Sequence, residues 1–182
     1  MLLKSQVCDF GWLAPDFDLP TPQGTRHRRD SIMGPKGMLI AFICNHCPYV
    51  IALIDRLAKD METLDAIGIG GAAIMSNDYA QYPADAPDKM VDFAKVHGLT
   101  VPYLVDEAQV VAKAYGAVCT PDFFGFDASG GLQYRGRLDD IGIRDDPSKR
   151  VPVLLDAMRQ VAETGTGPQD QTPSMGCSIK WR

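Results

Sequence analysis

The sequence predicts an α/β fold with a mixed central sheet and helices on both of its faces. Three observations carry that expectation. Short apolar runs alternate with segments of helical spacing along most of the chain, an order that builds βαβ units and parallel pairing. Two strand-like runs, 122–127 and 132–138, flank Ala128-Ser129-Gly130-Gly131 and read as a hairpin, which adds antiparallel strands. The pair Cys44-x-x-Cys47 sits where the first apolar run hands over to the first helical segment.

Residues 1–22 read as an extended lead-in, because Gly11, Pro15, Pro20 and Pro22 discourage helix. Within it Phe17 and Leu19 alternate with Asp16 and Asp18, as in a half-buried short strand. Gln23-Gly24 is a turn, Gly34-Pro35-Lys36-Gly37 a loop, and 38–43 the first buried strand. Val50, Leu53, Ile54, Leu57, Met61 and Leu64 then recur at helical spacing. They predict one helix from Pro48 to Asp65, with Pro48 tolerated in its first turn. Residues 72–75 form a short buried strand that ends at Ser76-Asn77-Asp78. After a loop over 79–86, Asp85-Ala86-Pro87 signals a helix that turns Met90, Phe93 and Ala94 inward and stops at Gly98.

Pro102 makes 101–105 an edge strand, since proline cannot donate to a ladder. Asp106 with Gln109 has capping-box spacing ahead of Val110, Val111 and Ala114, and Gly116 closes that helix. A last helix spans 151–164, with Pro152 in its first turn and Leu154, Leu155, Met158 and Val161 inside. Residues 165–173 are irregular. Met175, Cys177, Ile179 and Trp181 then alternate with small and polar residues, so these four are expected on the buried face of a docked strand. The expected organisation is one domain over 1–164 and an ordered tail, 165–182, docked on it.

The net charge of −5 argues against nucleic acid, because phosphate binding needs clustered positive charge. Arg26-His27-Arg28-Arg29 lies between turn residues and reads as a solvated loop. No apolar run approaches the length of a membrane span. The first residues show no long apolar region and no small-residue cleavage site, which points to the cytoplasm. Five cysteines, an odd number in a chain of 182 residues, argue against a secreted disulfide scaffold.

Cys44 and Cys47 stand at a helix start, where unpaired N–H groups and the helix dipole stabilise an anion. The thiolate is the nucleophile of disulfide chemistry, and such a position lowers a cysteine pKa. Two intervening residues let the second sulfur reach back to the first, so the pair can close and reopen. Cys44, His46 and Cys47 are also ligand types for zinc or copper, although a structural zinc site normally has a second ligand pair, which is missing. A third reading is two inert buried cysteines. Redox work is favoured, with no metal and no organic cofactor.

This order of elements, with Thr120-Pro121 opening the hairpin, resembles the thioredoxin fold, a three-layer arrangement. The stretch Gly11-Trp12-Leu13-Ala14-Pro15-Asp16-Phe17-Asp18-Leu19 resembles the N-terminal signature of the alkyl hydroperoxide reductase and thiol-specific antioxidant superfamily. Cys44-Asn45-His46-Cys47-Pro48-Tyr49-Val50, Ser76-Asn77-Asp78, Tyr134-Arg135-Gly136-Arg137-Leu138-Asp139-Asp140 and the tail Thr172–Trp181 are similar to a peroxiredoxin-like branch that keeps a C-x-x-C. The resemblance implies a thiol–disulfide oxidoreductase in which Cys44 attacks and Cys47 resolves. Thr120, a cis-Pro121, Asn45 and His46 would face the substrate. That substrate is a protein or small-molecule disulfide or thiol, and a thioredoxin or a small thiol would recycle the pair. A homodimer is compatible with it. The alternatives are a thiol peroxidase with antioxidant activity through Cys44, and a copper- or zinc-binding protein of the same fold.

The chain departs from the family at several positions. Peroxiredoxins are similar in having a proline and a hydroxyl residue shortly before the peroxide-attacking cysteine. Gly37 and Ala41 hold those positions relative to Cys44, and Ile40 and Cys44 relative to Cys47. Thioredoxin's buried aspartate is replaced by Met38, so a proton acceptor for Cys47 must come from elsewhere. His46 occupies the position that carries histidine in thiol oxidases and disulfide isomerases of this fold. A donor there stabilises the reduced form, so Cys44 is expected to titrate below the free-thiol value of about 8.5. Otherwise His46 is an exposed helix-start residue without a role. Cys119 and Cys177 are additional exchange partners or, the commoner fate, small buried hydrophobes. Arg137, Asp139 and Asp140 read as loop charges and turn caps rather than a substrate site.

Overall fold

The computed structural model describes residues 1–182. In chain order the strands and helices are β1 (Leu2–Lys4), β2 (Asp18–Pro20), β3 (Arg26–Arg28), α1 (Arg29–Ile32), β4 (Gly37–Phe42), α2 (Pro48–Ile51), α3 (Ile54–Ala66), β5 (Ile69–Met75), α4 (Pro87–Val96), β6 (Tyr103–Val105), α5 (Val110–Tyr115), β7 (Cys119–Thr120), β8 (Asp122–Asp127), β9 (Leu132–Tyr134), α6 (Val153–Thr164) and β10 (Met175–Ser178).

β4, β8 and β9 pair antiparallel, and β5 pairs β6 in parallel. β4 and β5 lie side by side. The Leu39 carbonyl lies against Gly71, and further along the Ile43 N–H donates to the Ile74 carbonyl, so the two strands run in the same direction. The central sheet is therefore mixed and five-stranded, in the order β9–β8–β4–β5–β6. β4 is buried along its whole length. Alternate side chains leave a strand on opposite faces. Leu39, Ala41 and Ile43 accordingly join one core cluster with Leu57 and Met61 of α3 and Leu154 and Met158 of α6. Met38, Ile40 and Phe42 join the other with Val111, Ala112 and Tyr115 of α5. The outcome is the helix–sheet–helix layering that the alternating pattern predicts.

A second, three-stranded sheet, β1–β10–β7, brings both chain ends to the start of the hairpin. Cys177 stands opposite Thr120 on one side and Leu2 on the other. Gly176 is required there, because a Cβ on it would collide with the Thr120 carbonyl. Gly176→Val is expected to push β10 off β7 and to destabilise the protein by about 1–3 kcal/mol, the usual cost of overpacking. Thermal unfolding checks this, and an unchanged midpoint would mean that β10 gives way freely.

Several expectations are corrected. The helix over 48–65 is broken at Ala52-Leu53. Leu53 donates to Val50 in a tightened turn, and the Ala52 carbonyl accepts from the Arg56 guanidinium. The Asp106/Gln109 capping box does not form. Gln109 adopts a left-handed conformation, with φ of 60°, and its amide binds the Ser76 and Lys180 carbonyls. Asp106 instead accepts from the Val111 and Ala112 N–H groups and the Ser76 hydroxyl. The second hairpin strand stops at Tyr134, because the Arg135 N–H goes to Gln171 and its guanidinium to Ser5, Gly116 and Asp122. The strand expected at 72–75 begins at Ile69, and Pro152 precedes its helix rather than joining it. In the tail, Met175 and Trp181 are exposed, while Gly176 is buried. β10 ends at Ser178, so Ile179 and Trp181 lie beyond the strand and the alternation does not mark a single buried face.

Candidate active site

β4 ends where Ile43 bonds across to β5, and the chain then turns into α2 through Cys44-Asn45-His46-Cys47. Cys47 is the residue before the helix, its backbone extended, and Pro48 follows at the first helical position. This places the two sulfurs against β7. The Cys44 sulfur lies 3.3 Å from the Thr120 hydroxyl, and the Cys47 sulfur 3.2 Å from the Thr120 carbonyl oxygen. The Thr120–Pro121 peptide is cis. Both cysteines are free thiols, with 1% and 0% of their surfaces exposed.

The loop between the cysteines is held by a residue that the sequence reading assigned elsewhere. Asp85 is fully buried. One carboxylate oxygen accepts from the N–H groups of Asn45 and His46, at 2.8 and 3.3 Å. The other accepts from the Asn77 amide at 2.8 Å and meets His46 Nδ1 at 2.7 Å. The His46 ring stacks on Tyr82, and the Tyr103 hydroxyl donates to the Asn45 side chain. His46 is thus a fixed, half-buried group rather than an exposed helix start. In sequence, Asp85 carried only the signal of a helix beginning near Pro87. Its approach to the thiols is a long-range contact that no local pattern announces.

The two thiols are tightly linked, and their ionisation belongs to the pair. Cys47 is held down, chiefly because the Cys44 thiol donates to it, and then by the N–H and thiol of Cys177 and the N–H of Val50. Cys44 is pushed well up, as the donor in that bond, by burial, and by the Asp85 carboxylate beside it. The pair therefore holds one proton between its sulfurs. The first proton of the pair leaves below the ordinary thiol value in the folded chain, so the unfolded state binds more protons in the window just below that value. The stability of the reduced protein is expected to rise with pH across that window. The oxidised protein lacks both thiols and should not follow. Thermal unfolding of the two forms in parallel checks this.

Cys44, His46 and Asp85 place ligand-type atoms within 4.8 Å of one another. Both Asp85 oxygens are already occupied by hydrogen-bond donors, so the carboxylate acts as an anchor for the loop rather than as an open ligand. Cys47 is not in that group, in contrast to the Cys44–Cys47–His46 set considered from sequence.

The alkyl hydroperoxide reductase/thiol-specific antioxidant (AhpC/TSA) family model matches residues 10–135. The chain belongs to the AhpC/TSA family. Among solved structures, this AhpC/TSA chain is similar to an uncharacterised conserved protein from Geobacillus kaustophilus, with 39% identity, 100% of this chain and 97% of that one covered, and a TM-score of 0.88. A hypothetical protein from Sinorhizobium meliloti 1021 is similar at 35% identity, with 98% of each chain covered and a TM-score of 0.92. A putative protein disulfide isomerase from Bacteroides thetaiotaomicron shares the fold at 16% identity, with 87% and 93% covered and a TM-score of 0.65. A search of the curated proteins returned no match. No helix is long and apolar enough to cross a membrane.

Two further thiols of this AhpC/TSA protein lie at the site. Cys177 is half-buried, and its thiol and N–H reach Cys47. Cys119 is buried with its sulfur turned toward the Pro121 carbonyl, 3.5 Å away, and burial pushes its thiol up. Asp140 caps the Val151 N–H as a loop charge does, but Asp139 is buried and lies between Arg56 and Arg150 rather than on the surface. Arg137 is different, because its guanidinium makes no hydrogen bond or ion pair with the protein.

Proposed function

We propose that this AhpC/TSA chain is a thiol–disulfide oxidoreductase in which Cys44 attacks and Cys47 resolves. The observation that supports the reading most is Thr120, one residue that meets both sulfurs. With the proton on Cys44, the Cys47 thiolate rests on the N–H groups of Cys177 and Val50. When the proton passes to Cys47, that thiol donates to the Thr120 carbonyl, and the Thr120 hydroxyl turns its hydrogen to the Cys44 thiolate. Cys47 thereby takes the Cys44 proton, and solvent is the acceptor for Cys47 that Met38 cannot supply. The Cys44 thiolate then attacks one sulfur of a substrate disulfide, forming a mixed disulfide and expelling the first substrate thiolate. Cys47, deprotonated in turn by solvent, attacks Cys44 and expels the second. The chain is oxidised by two electrons, and the substrate is reduced to two thiols. A small thiol or a thioredoxin-type protein in a reducing compartment such as the cytoplasm returns the pair to thiols, with no organic cofactor.

The test is single-turnover oxidation of reduced protein by hydroxyethyl disulfide. Loss of two thiols per chain and a mapped Cys44–Cys47 disulfide are expected. A chain that keeps all its thiols overturns the proposal.

A peroxidase reading gains from one observation, the Thr120 hydroxyl 3.3 Å from Cys44, which supplies from β7 a group that Ala41 cannot. Asp85 works against it, because a buried carboxylate opposes the negative charge that develops on a departing hydroxide. Peroxide consumption by the reduced protein, followed by stopped flow, is therefore expected to be no faster than by free thiol.

A further inference from the structure

The wall on the far side of Pro121 is a cavity of about 450 Å³, within the size range of small-molecule sites. Its apolar surface includes Tyr49, Leu53, Phe123 and Ile141, with Arg137 among them. Buried polar side-chain atoms are almost always satisfied, and each orphan needs a reason. In this protein there is a single orphan, the Nε of Arg137. The guanidinium as a whole has no protein acceptor, whereas Arg56 beside it is neutralised by Asp139 and bonded to the Ala52 carbonyl. Arg150, behind, is paired with Asp60. The exposed Lys4 at the rim adds a second positive charge.

We infer that this cavity is a substrate subsite, and that Arg137 binds the carboxylate of a low-molecular-weight disulfide or thiol. The inference rests on the thiol–disulfide reading above and names the substrate class for it. Pro121 joins the two places: its ring lines the cavity, and the residue before it touches both sulfurs. A carboxylate matches one planar guanidinium fork through two parallel hydrogen bonds. A doubly charged phosphate fits less well, because Asp139 and Asp140 share the wall. The apolar residues that line the cavity with Arg137 and Pro121 would cover the methylene groups that separate the carboxylate from the sulfur. Both reactive sulfurs are almost wholly enclosed, which favours a small molecule over a disulfide fixed in a folded protein.

The experiment compares oxidation of the reduced chain by dithiodipropionate, a dicarboxylate, and by uncharged hydroxyethyl disulfide. The dicarboxylate is expected to react about tenfold faster or more, the yield of one charge-assisted bidentate contact. Arg137→Gln should bring the ratio of the two rates toward one. Ile143→Asp, a half-exposed position on the same wall, should do likewise by offering a rival carboxylate, and it serves if Arg137→Gln fails to fold. Equal rates in the unmodified chain, or a ratio unmoved in both variants, overturn the inference. Methylthiopropionate, a redox-inert carboxylate, reads the cavity independently through the Arg137 Nε–H resonance. If it binds while neither disulfide oxidises the pair, the cavity stands as a carboxylate site and the exchange chemistry falls. If both disulfides react alike and it does not bind, the exchange chemistry stands and the subsite falls.

Discussion

Cys47→Ser protein is expected to hold its partners covalently through Cys44, and Cys44→Ser protein to hold none. The asymmetry follows from the two steps of exchange. Without Cys47 the mixed disulfide on Cys44 has no resolving thiolate and persists until an external thiol reaches it. Without Cys44 no mixed disulfide forms at the site, and turnover should fall by on the order of a thousandfold or more, as for removal of a nucleophile. Cys177 complicates the first variant in an informative way. Its thiol lies against the place that Cys47 leaves, within reach of the mixed disulfide on Cys44. Adding Cys177→Ser to Cys47→Ser isolates its contribution. An increase in trapped partner identifies Cys177 as a substitute resolving thiol, and an unchanged yield makes it a packing residue. Mass spectrometry of non-reduced adducts reads all of these. Adducts on Cys47 in the Cys44→Ser chain would reverse the assigned roles.

What was legible in the sequence was whatever depends on local periodicity. The buried strand ahead of Cys44, the helical spacing after it and the hairpin past Thr120-Pro121 each follow from patterns a few residues wide, and the layered sheet follows from their order. What was not legible came from contacts across the sheet. The ionisation of the pair depends on Cys177 and Val50 meeting Cys47 and on Asp85 facing Cys44, residues scattered over much of the chain. Helix-start reasoning alone gave the charge to Cys44, although α2 is only four residues long and has little dipole to offer. Gln109 and Arg137 show the same limit in two directions. Gln109 had cap spacing, but the tail carbonyl at Lys180 competes for its amide. Arg137 stood in a run of loop charges, yet its neighbouring carboxylates are claimed by Arg56 and by the Val151 N–H.

The Asp85 carboxylate sets both the shape and the ionisation of the site, and two substitutions separate those effects. Asp85→Ala leaves the Asn45 and His46 N–H groups and the Asn77 amide without their buried acceptor. Each orphaned buried donor costs about 1–3 kcal/mol. A loss of roughly 3 kcal/mol or more is expected, which corresponds to a fall of about 6–12 °C in Tm for a chain of this size. Asp85→Asn keeps the volume and one acceptor oxygen but removes the charge. That carboxylate is one of the causes that push Cys44 up, so the variant should ionise Cys44 more readily. The pH profile of exchange with hydroxyethyl disulfide is then expected to move its rising limb to lower pH, with a smaller loss of stability than in Asp85→Ala. A limb that stays in place or moves to higher pH would show that Asp85 acts on the loop alone. The Asn77 amide supplies the control, since Asn77→Ala removes a donor to the same carboxylate and leaves its charge in place, and should therefore cost stability without lowering that limb.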